Sequence, residues 1–83
     1  MLETTIQSEM RLANVPLRDA QLPAECLVVS IRREDELLFP RGSTVIRPGD
    51  VVTFLVNPRG EARLQHYLHE SREVESQEAV ALD

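Results

Sequence analysis

The spacing of hydrophobic and polar positions along the chain predicts several short strands and two helices. Residues 2–10 alternate apolar or small side chains with polar ones, which is typical of a strand with one face in water. Residues 26–31 are apolar on both faces, as in a central strand that is covered on each side. Val51–Val56 is the most β-prone run in the chain. We therefore expect a sheet with residues 26–31 at its centre.

Turn signals between these runs predict how the strands connect. The charged residues 33–36 favour a turn after which residues 37–39 return as a short strand that Pro40 stops, giving a hairpin. Residues 44–46 are expected to form another short strand. Residues 47–50 carry Pro at the second position and Gly at the third, the order that suits a type II turn.

Two helices and a tail complete the prediction. Residues 14–22 favour a short helix that ends before Pro23. Asn57 and Pro58 are expected to begin a second helix with an apolar stripe formed by Leu64, Tyr67 and Leu68. We predict one α+β domain over residues 1–70, with a mixed four- to five-stranded sheet, and a frayed or disordered acidic tail over residues 71–83. A second subunit is one candidate to cover the central strand, so we expect a dimer.

Length, charge and cysteine content exclude several classes of protein. A chain of 83 residues forms about one small domain and has no spare core for a buried catalytic cleft. The formal charge of −5 argues against binding to duplex nucleic acid, and two Phe, one Tyr and no Trp argue against a stacking platform for single strands. A single cysteine fits a reducing compartment. The apolar stretches are too short to span a bilayer, so a soluble cytoplasmic domain is expected.

No arrangement of residues predicts an enzyme. The chain lacks the glycine-rich loops that cradle nucleotide phosphates, and Cys26 begins an apolar strand, where we interpret it as a small buried hydrophobe. His66 and His69 with Glu70 are half of a metal site at best, and their alternative role is polar cover beside the apolar stripe. The carboxylates of residues 34–36 either bind a hard cation or simply face solvent. We predict neither a catalytic site nor a metal site.

The arginines are the candidate binding residues. Four of them lie at the ends of the predicted strands, close to the apolar residues Ile31 and Phe39; these are Arg32, Arg33, Arg41 and Arg47. Guanidinium groups beside apolar side chains can hold an anion whose other part is planar and apolar. The alternative is that these arginines only provide solubility and pair with the carboxylates of residues 34–36.

Three segments in order resemble a known family. They are a short helix ending in Leu22-Pro23, an apolar strand ending in Ile31-Arg32-Arg33, and the run 39–50, which contains Phe39-Pro40-Arg41-Gly42 and ends in Pro48-Gly49-Asp50. Together they resemble the TrkA C-terminal domain, the C-terminal lobe of the regulator of potassium conductance (RCK) unit. The resemblance covers about residues 4–68, and it rests on the order and spacing of the segments.

The resemblance implies a dimeric regulatory domain of a membrane ion transport system, for potassium or another cation, on the cytoplasmic side of an inner membrane. Its partners would be a second copy and the membrane-embedded domain of a parent transporter or channel. Some members bind cyclic di-AMP across the two-fold axis, so cyclic di-AMP or another nucleotide is the expected ligand, and no other cofactor is expected. The positions that the resemblance points to first are Ile31, Arg33, Phe39 and Pro40. Together with Arg32, Arg41 and Arg47 of the arginine cluster they form the predicted ligand-binding set. The alternative is an assembly module of a transporter, such as an anion channel or a permease, that binds no ligand.

Overall fold

The structure, a computed structural model, describes residues 1–70, which form four strands, one 3₁₀ turn and one α-helix. In chain order these are β1 (Leu2–Thr5), the 3₁₀ turn (Leu17–Asp19), β2 (Cys26–Arg33), β3 (Glu36–Leu38), β4 (Val51–Val56) and α1 (Glu61–His69). The predicted α+β class is confirmed. The tail predicted over residues 71–83 lies outside the described residues.

The strands form one sheet in the order β1-β4-β2-β3, and every neighbouring pair is antiparallel. β2 and β4 lie at its centre, as the continuous apolar runs predict. The sheet was expected to be mixed, but each pair within residues 1–70 is antiparallel: a tight turn joins β2 to β3, and β4 runs opposite to both of its neighbours, β1 and β2. The register between β2 and β4 shifts between Val28 and Ser30, because Val29 is an extra residue that forms a β-bulge.

Two predicted strands are shorter in the structure than in the sequence pattern. β1 ends at Thr5, because the next residue, Ile6, exchanges backbone hydrogen bonds with Asp50 and Gly49 of the turn before β4. The strand expected at residues 44–46 is reduced to an isolated bridge between Pro16 and Val45. Residues 44–46 lie instead against the 3₁₀ turn, where the backbone N–H of Leu17 donates to the carbonyl of Thr44.

The hydrophobic core lies on one face of the sheet. Val28, Ile31, Val52 and Phe54 project from the central strands, and the predicted stripe of α1 packs with them as Leu64, Tyr67 and Leu68. The segment between β1 and β2 contributes further buried side chains, among them Ile6, Leu12 and Ala20. The phenol of Tyr67 donates a hydrogen bond to the carbonyl of Ala20, which ties α1 to the end of the 3₁₀ turn. The other face of the sheet has no such cover within residues 1–70.

Helix α1 begins later than predicted. Asn57 and Pro58 form a turn, closed by hydrogen bonds from the Gly60 N–H to the side-chain and backbone oxygens of Asn57, and the helix starts at Glu61. Gly60 is required there because a Cβ at this position would clash with the Cβ of Glu25. With nine residues, α1 is too short to cross a membrane, and residues 1–70 contain no other α-helix.

Candidate ligand and dimerisation surfaces

The face of the sheet opposite the core carries exposed aliphatic side chains, and we call it the open face. Leu27, Leu37 and Leu55 are 62%, 58% and 52% exposed, and Val29 lies beside them. Leu27 and Leu55 are direct partners across β2 and β4, so their side chains adjoin on the two central strands, near one end of this face. Exposed aliphatic residues are ordinary when scattered, but a cluster on two central strands indicates a contact surface.

Arg32 and Phe39 flank the open face. Arg32 pairs in register with Leu37 on one side and Val51 on the other, so its exposed guanidinium lies among the aliphatic residues. Phe39 follows β3 directly and is 74% exposed. The strand alternation places Phe39 on the same side as Leu37. An aromatic ring and a positive charge thus border one apolar surface.

Arg33 is engaged in the structure by a carboxylate that the sequence reasoning did not consider. Its Nε and Nη2 donate to the two carboxylate oxygens of Asp50 at 3.0 and 2.8 Å, and Nη2 also donates to the carbonyl of Val45 at 2.9 Å. Asp50 is 2% exposed and also accepts the backbone N–H of Arg47 at 2.9 Å. Arg33 therefore fastens the 47–50 turn to β2.

The electrostatics of this pair follow from its geometry. Burial alone raises the pKa of the Asp50 carboxyl, but hydrogen bonds from Arg33 and from the N–H of Arg47, with the charges of both residues, outweigh burial and lower that pKa. The pKa of Arg33 is raised, chiefly by its hydrogen bond to Asp50. Both groups are ionised at neutral pH. The turn itself is as predicted: Gly49 has φ of +95° and the Asp50 N–H donates to the Arg47 carbonyl.

The other predicted site residues differ in accessibility. Ile31 is completely buried on the core face, so its side chain supports β2 and does not reach the surface. Arg47 is exposed in the turn, whereas Pro40 and Arg41 lie where the chain leaves β3 and diverges from β2. Within residues 1–70, the carboxylates of residues 34–36 form no ion pair with any of the four predicted arginines.

A cavity of about 290 Å³ opens where residues 40–42 diverge from the start of β2. Its walls are mainly apolar and consist of Leu17, Leu22, Cys26, Leu27, Val28 and Pro40, with Arg18, Arg41 and Gly42 completing the lining. Leu27 borders both the cavity and the open face. Pro40 and Arg41 were predicted as site residues, whereas Arg18, Leu17 and Leu22 were not.

Arg18 reaches the cavity through backbone pairing that no local pattern predicts. Its N–H donates to the carbonyl of Gly42 at 3.0 Å, and a Cβ on Gly42 would lie 3.6 Å from the Cβ of Arg18. The backbone of Arg41 is fixed by its N–H, which donates to Oγ1 of Thr44 at 2.9 Å. The segments that carry Arg18 and Arg41 therefore lie side by side at the cavity.

Cys26 and the two histidines offer no reactive or metal-binding arrangement. The Cys26 thiol donates to the carbonyl of Pro23 at 3.3 Å, and burial and then the charge of Glu25 raise the pKa of that thiol. Cys26 is partly exposed at the cavity and not fully buried as expected. His69 places Nδ1 2.7 Å from the carbonyl oxygen of Gln65. No group of three potential metal ligands is assembled anywhere in residues 1–70.

Comparisons with known proteins agree with this architecture. A family model, the TrkA-C domain, matches residues 1–69. The chain belongs to the TrkA-C domain family. No curated protein matches the chain. The family assignment accounts for the order of elements and confirms the resemblance inferred from the three sequence segments.

Two solved structures share the fold. One is described as an RCK domain with cda; it is 24% identical, has a TM-score of 0.65, and the match covers 83% of this chain and 100% of that one. The other is an RCK_C domain dimer of S. agalactiae BusR in complex with c-di-AMP; it is 18% identical with a TM-score of 0.68, covering 81% of this chain and 92% of that one. At these identities the likeness establishes the fold.

Proposed function

We propose that this TrkA-C domain is the cytoplasmic, ligand-sensing dimerisation domain of a membrane ion transport system for potassium or another cation. Its role is regulatory rather than catalytic. The observation that carries the proposal is the open face, on which Leu27, Leu37 and Leu55 are more than half exposed on adjoining strands of a small domain. A chain that leaves such a surface uncovered gains stability by covering it.

A second copy is the proposed cover of the open face. Leu27 adjoins Leu55 toward one end of the central strands, Leu37 lies beside Arg32 toward the other end, and Thr53 faces Ser30 between them. A surface that combines exposed aliphatic side chains with hydroxyl groups and an arginine suits a subunit interface. The BusR domain with the same fold was solved as a dimer, which supports this arrangement. Membrane attachment would come from a parent protein whose transport domain the dimer regulates.

The proposed ligand is cyclic di-AMP or another nucleotide, bound beside the open face. Phe39 supplies an exposed ring for a base, and Arg32, Arg41 and Arg47 supply exposed guanidinium groups for phosphates. Pro40 fixes the backbone next to Phe39. Ile31 supports β2 from the core face, and Arg33 holds the 47–50 turn in place. Of the structures that share this fold, one RCK domain was solved with cda and the BusR domain was solved in complex with c-di-AMP, which supports a nucleotide ligand.

Ligand binding would act on transport by shifting the population of dimer arrangements. A nucleotide that contacts both protomers binds one arrangement better than another and stabilises it. The attached membrane domain would then respond to the favoured arrangement.

An assembly role without a ligand is the second candidate. The observation that favours it is the engagement of Arg33 by Asp50 and Val45, which removes one of the four predicted arginines from ligand binding. In this case the open face alone would be functional, and nucleotides would have no effect on the dimer.

The test combines sedimentation equilibrium with thermal unfolding. The wild-type chain should sediment as a dimer, and Leu55→Asp should dissociate it because an unpaired carboxylate buried in the interface is unfavourable. Ala62→Asp on the exposed side of α1 is the matched control and should leave the dimer unchanged. A wild-type monomer, or a Leu55→Asp variant with unchanged dimer affinity, would contradict the proposed interface.

The ligand is tested on the same samples. Cyclic di-AMP should raise the melting temperature of the wild-type dimer, since a ligand that binds only the folded state stabilises it. Phe39→Ala should abolish this shift without changing the mass. A wild-type dimer that responds to none of cyclic di-AMP, cyclic di-GMP and AMP would favour the assembly role.

A further inference from the structure

The cavity beside β2 is lined by two arginines that lie on adjacent backbone segments. Arg18 and Arg41 both line it, and the hydrogen bond from the Arg18 N–H to the Gly42 carbonyl holds their backbones on neighbouring segments. Within residues 1–70 neither guanidinium is paired with a carboxylate. Two cations that line one cavity attract an anion, and each can donate charged hydrogen bonds to it.

The walls behind these charges are apolar. Leu17, Leu22, Leu27 and Val28 line the cavity with Pro40, and the Cys26 thiol already donates to the Pro23 carbonyl. These side chains provide almost no hydrogen-bonding groups, so an occupant must be apolar wherever it lies away from the arginines. At about 290 Å³ the cavity is at the lower limit of small-molecule sites.

We propose that this cavity binds a small amphiphile with a single anionic head group, a carboxylate or a phosphate, and an apolar body. The head group lies between Arg18 and Arg41, where two guanidinium groups can each donate to its oxygens. The body enters the cavity against Leu22 and Val28. This site lies within one protomer. It shares Pro40 and Arg41 with the proposed nucleotide site but goes beyond it, because it needs neither Phe39 nor a dimer.

A nucleotide fits this cavity poorly. Its ribose hydroxyls and base edges need hydrogen-bond partners, and each polar group buried without one weakens binding. The aliphatic walls of Leu17, Leu22 and Val28 supply none. The arginines therefore select the head group of the occupant, and the apolar walls select its body.

The experiment uses the full chain and three probes that share an alkyl body: octanoate, octyl phosphate and octanol. Affinity is measured by isothermal titration calorimetry. Location is measured by alkylation with N-ethylmaleimide, because Cys26 is the single cysteine and lines the cavity. Octanoate, octyl phosphate or both should bind saturably and slow the alkylation of Cys26 at least fivefold. The relative affinities of these two anionic probes distinguish a carboxylate site from a phosphate site.

Arginine variants separate the head-group site from general surface charge. Arg18→Gln and Arg41→Gln should each weaken the anionic probe about tenfold, as expected for loss of one charged hydrogen-bond donor. Arg59→Gln, at an exposed residue before α1, is the control and should bind as the wild type does. Both target arginines are exposed, so the variants should fold, which unchanged thermal unfolding in buffer would verify.

Several outcomes would overturn the proposal. These are no saturable binding of either anionic probe, equal binding of octanol, or binding that survives both arginine substitutions. Protection of Cys26 by AMP at lower concentration than by either anionic probe would assign the cavity to nucleotides instead. Loss of probe binding in Leu55→Asp with retention in Arg18→Gln would place the probe on the open face. Because none of these readouts requires a dimer, failure here leaves the proposed dimeric function untouched.

Discussion

The ion pair between Arg33 and Asp50 allows a quantitative prediction because its two partners differ in exposure. The Asp50 side chain is 3% exposed and the Arg33 side chain 26%. Arg33→Met leaves a carboxylate buried without its cation, whereas Asp50→Asn leaves a guanidinium that can regain water. Arg33→Met should therefore destabilise the fold more than Asp50→Asn does.

The magnitudes follow from the contacts. Removing one partner of a buried ion pair costs about 3–5 kcal/mol, and the partial exposure of Arg33 favours the lower end, so we expect Arg33→Met to lower the free energy of unfolding by about 3 kcal/mol. For Asp50→Asn we expect about 1.5 kcal/mol, since the amide oxygen can still accept the Arg47 N–H and only the charged hydrogen bonds are lost. The double variant should cost less than the sum of the two, because the partners interact directly.

Urea unfolding monitored by circular dichroism measures these differences at pH 7. The control is Arg63→Met, because Arg63 pairs with Glu25 at 3.1 Å but its side chain is 73% exposed, and loss of such a pair changes stability by at most about 1 kcal/mol. If Arg33→Met costs no more than this control, the reasoning that Arg33 fastens the turn is refuted.

The pH dependence has a definite sign. The pKa of Asp50 is lowered in the folded state, so its contribution to stability is present above the ordinary value of 3.8 and is lost as pH falls through the lowered value. In Arg33→Met the guanidinium no longer opposes burial, so the pKa of Asp50 should rise relative to that in the wild type, with only the N–H and the charge of Arg47 still lowering it. The variant should therefore lose less stability than the wild type as acid protonates Asp50, and the difference between the two should shrink as pH falls through the lowered wild-type pKa.

Two further predictions concern a glycine and a tyrosine. Gly49→Ala should lower the free energy of unfolding in urea by about 1–2 kcal/mol, because Gly49 has φ of +95°. Gly42→Ala is the control: its Cβ would make an ordinary 3.6 Å contact with Arg18, so it should be neutral within about 0.5 kcal/mol. Equal costs for the two variants would contradict the assigned turn. Burial raises the pKa of Tyr67 to about 12, so ultraviolet titration of the phenol should show a midpoint near that value and stability should fall as pH rises from 10 to 12. A midpoint near 10 would mean that the phenol of Tyr67 is not buried as described.

Local sequence patterns correctly predicted the elements that are determined by residues close together in the chain. The stripe of Leu64, Tyr67 and Leu68 and the turn around Gly49 depend only on helical spacing and on backbone conformation, and both are present. The predicted start of α1 was wrong because the Asn57 side chain closes a separate turn with Gly60 before the helix begins. No spacing rule shows which of two turns a capping residue will close.

Contacts between distant segments account for the site residues that the sequence did not predict. Arg33 was considered against the carboxylates of residues 34–36, yet strand alternation turns its side chain toward Asp50, and its guanidinium lies across the 47–50 turn. Arg18 joins Arg41 only because its N–H bonds to Gly42. In both cases the partner is fixed by folding of the whole domain.

The bulge at Val29 shows why accessibility on β2 could not be predicted even where the strand was. Strict alternation would place Leu27, Val29 and Ile31 on one face. The extra residue between Val28 and Ser30 reverses the alternation, so Ile31 joins Val28 in the core and Arg32 joins Leu27 on the open face. A sequence pattern cannot distinguish these two arrangements, because every residue involved except Arg32 suits either face. The same shift by one residue decides that a guanidinium rather than an isoleucine borders the surface on which the proposed dimer and its ligand depend.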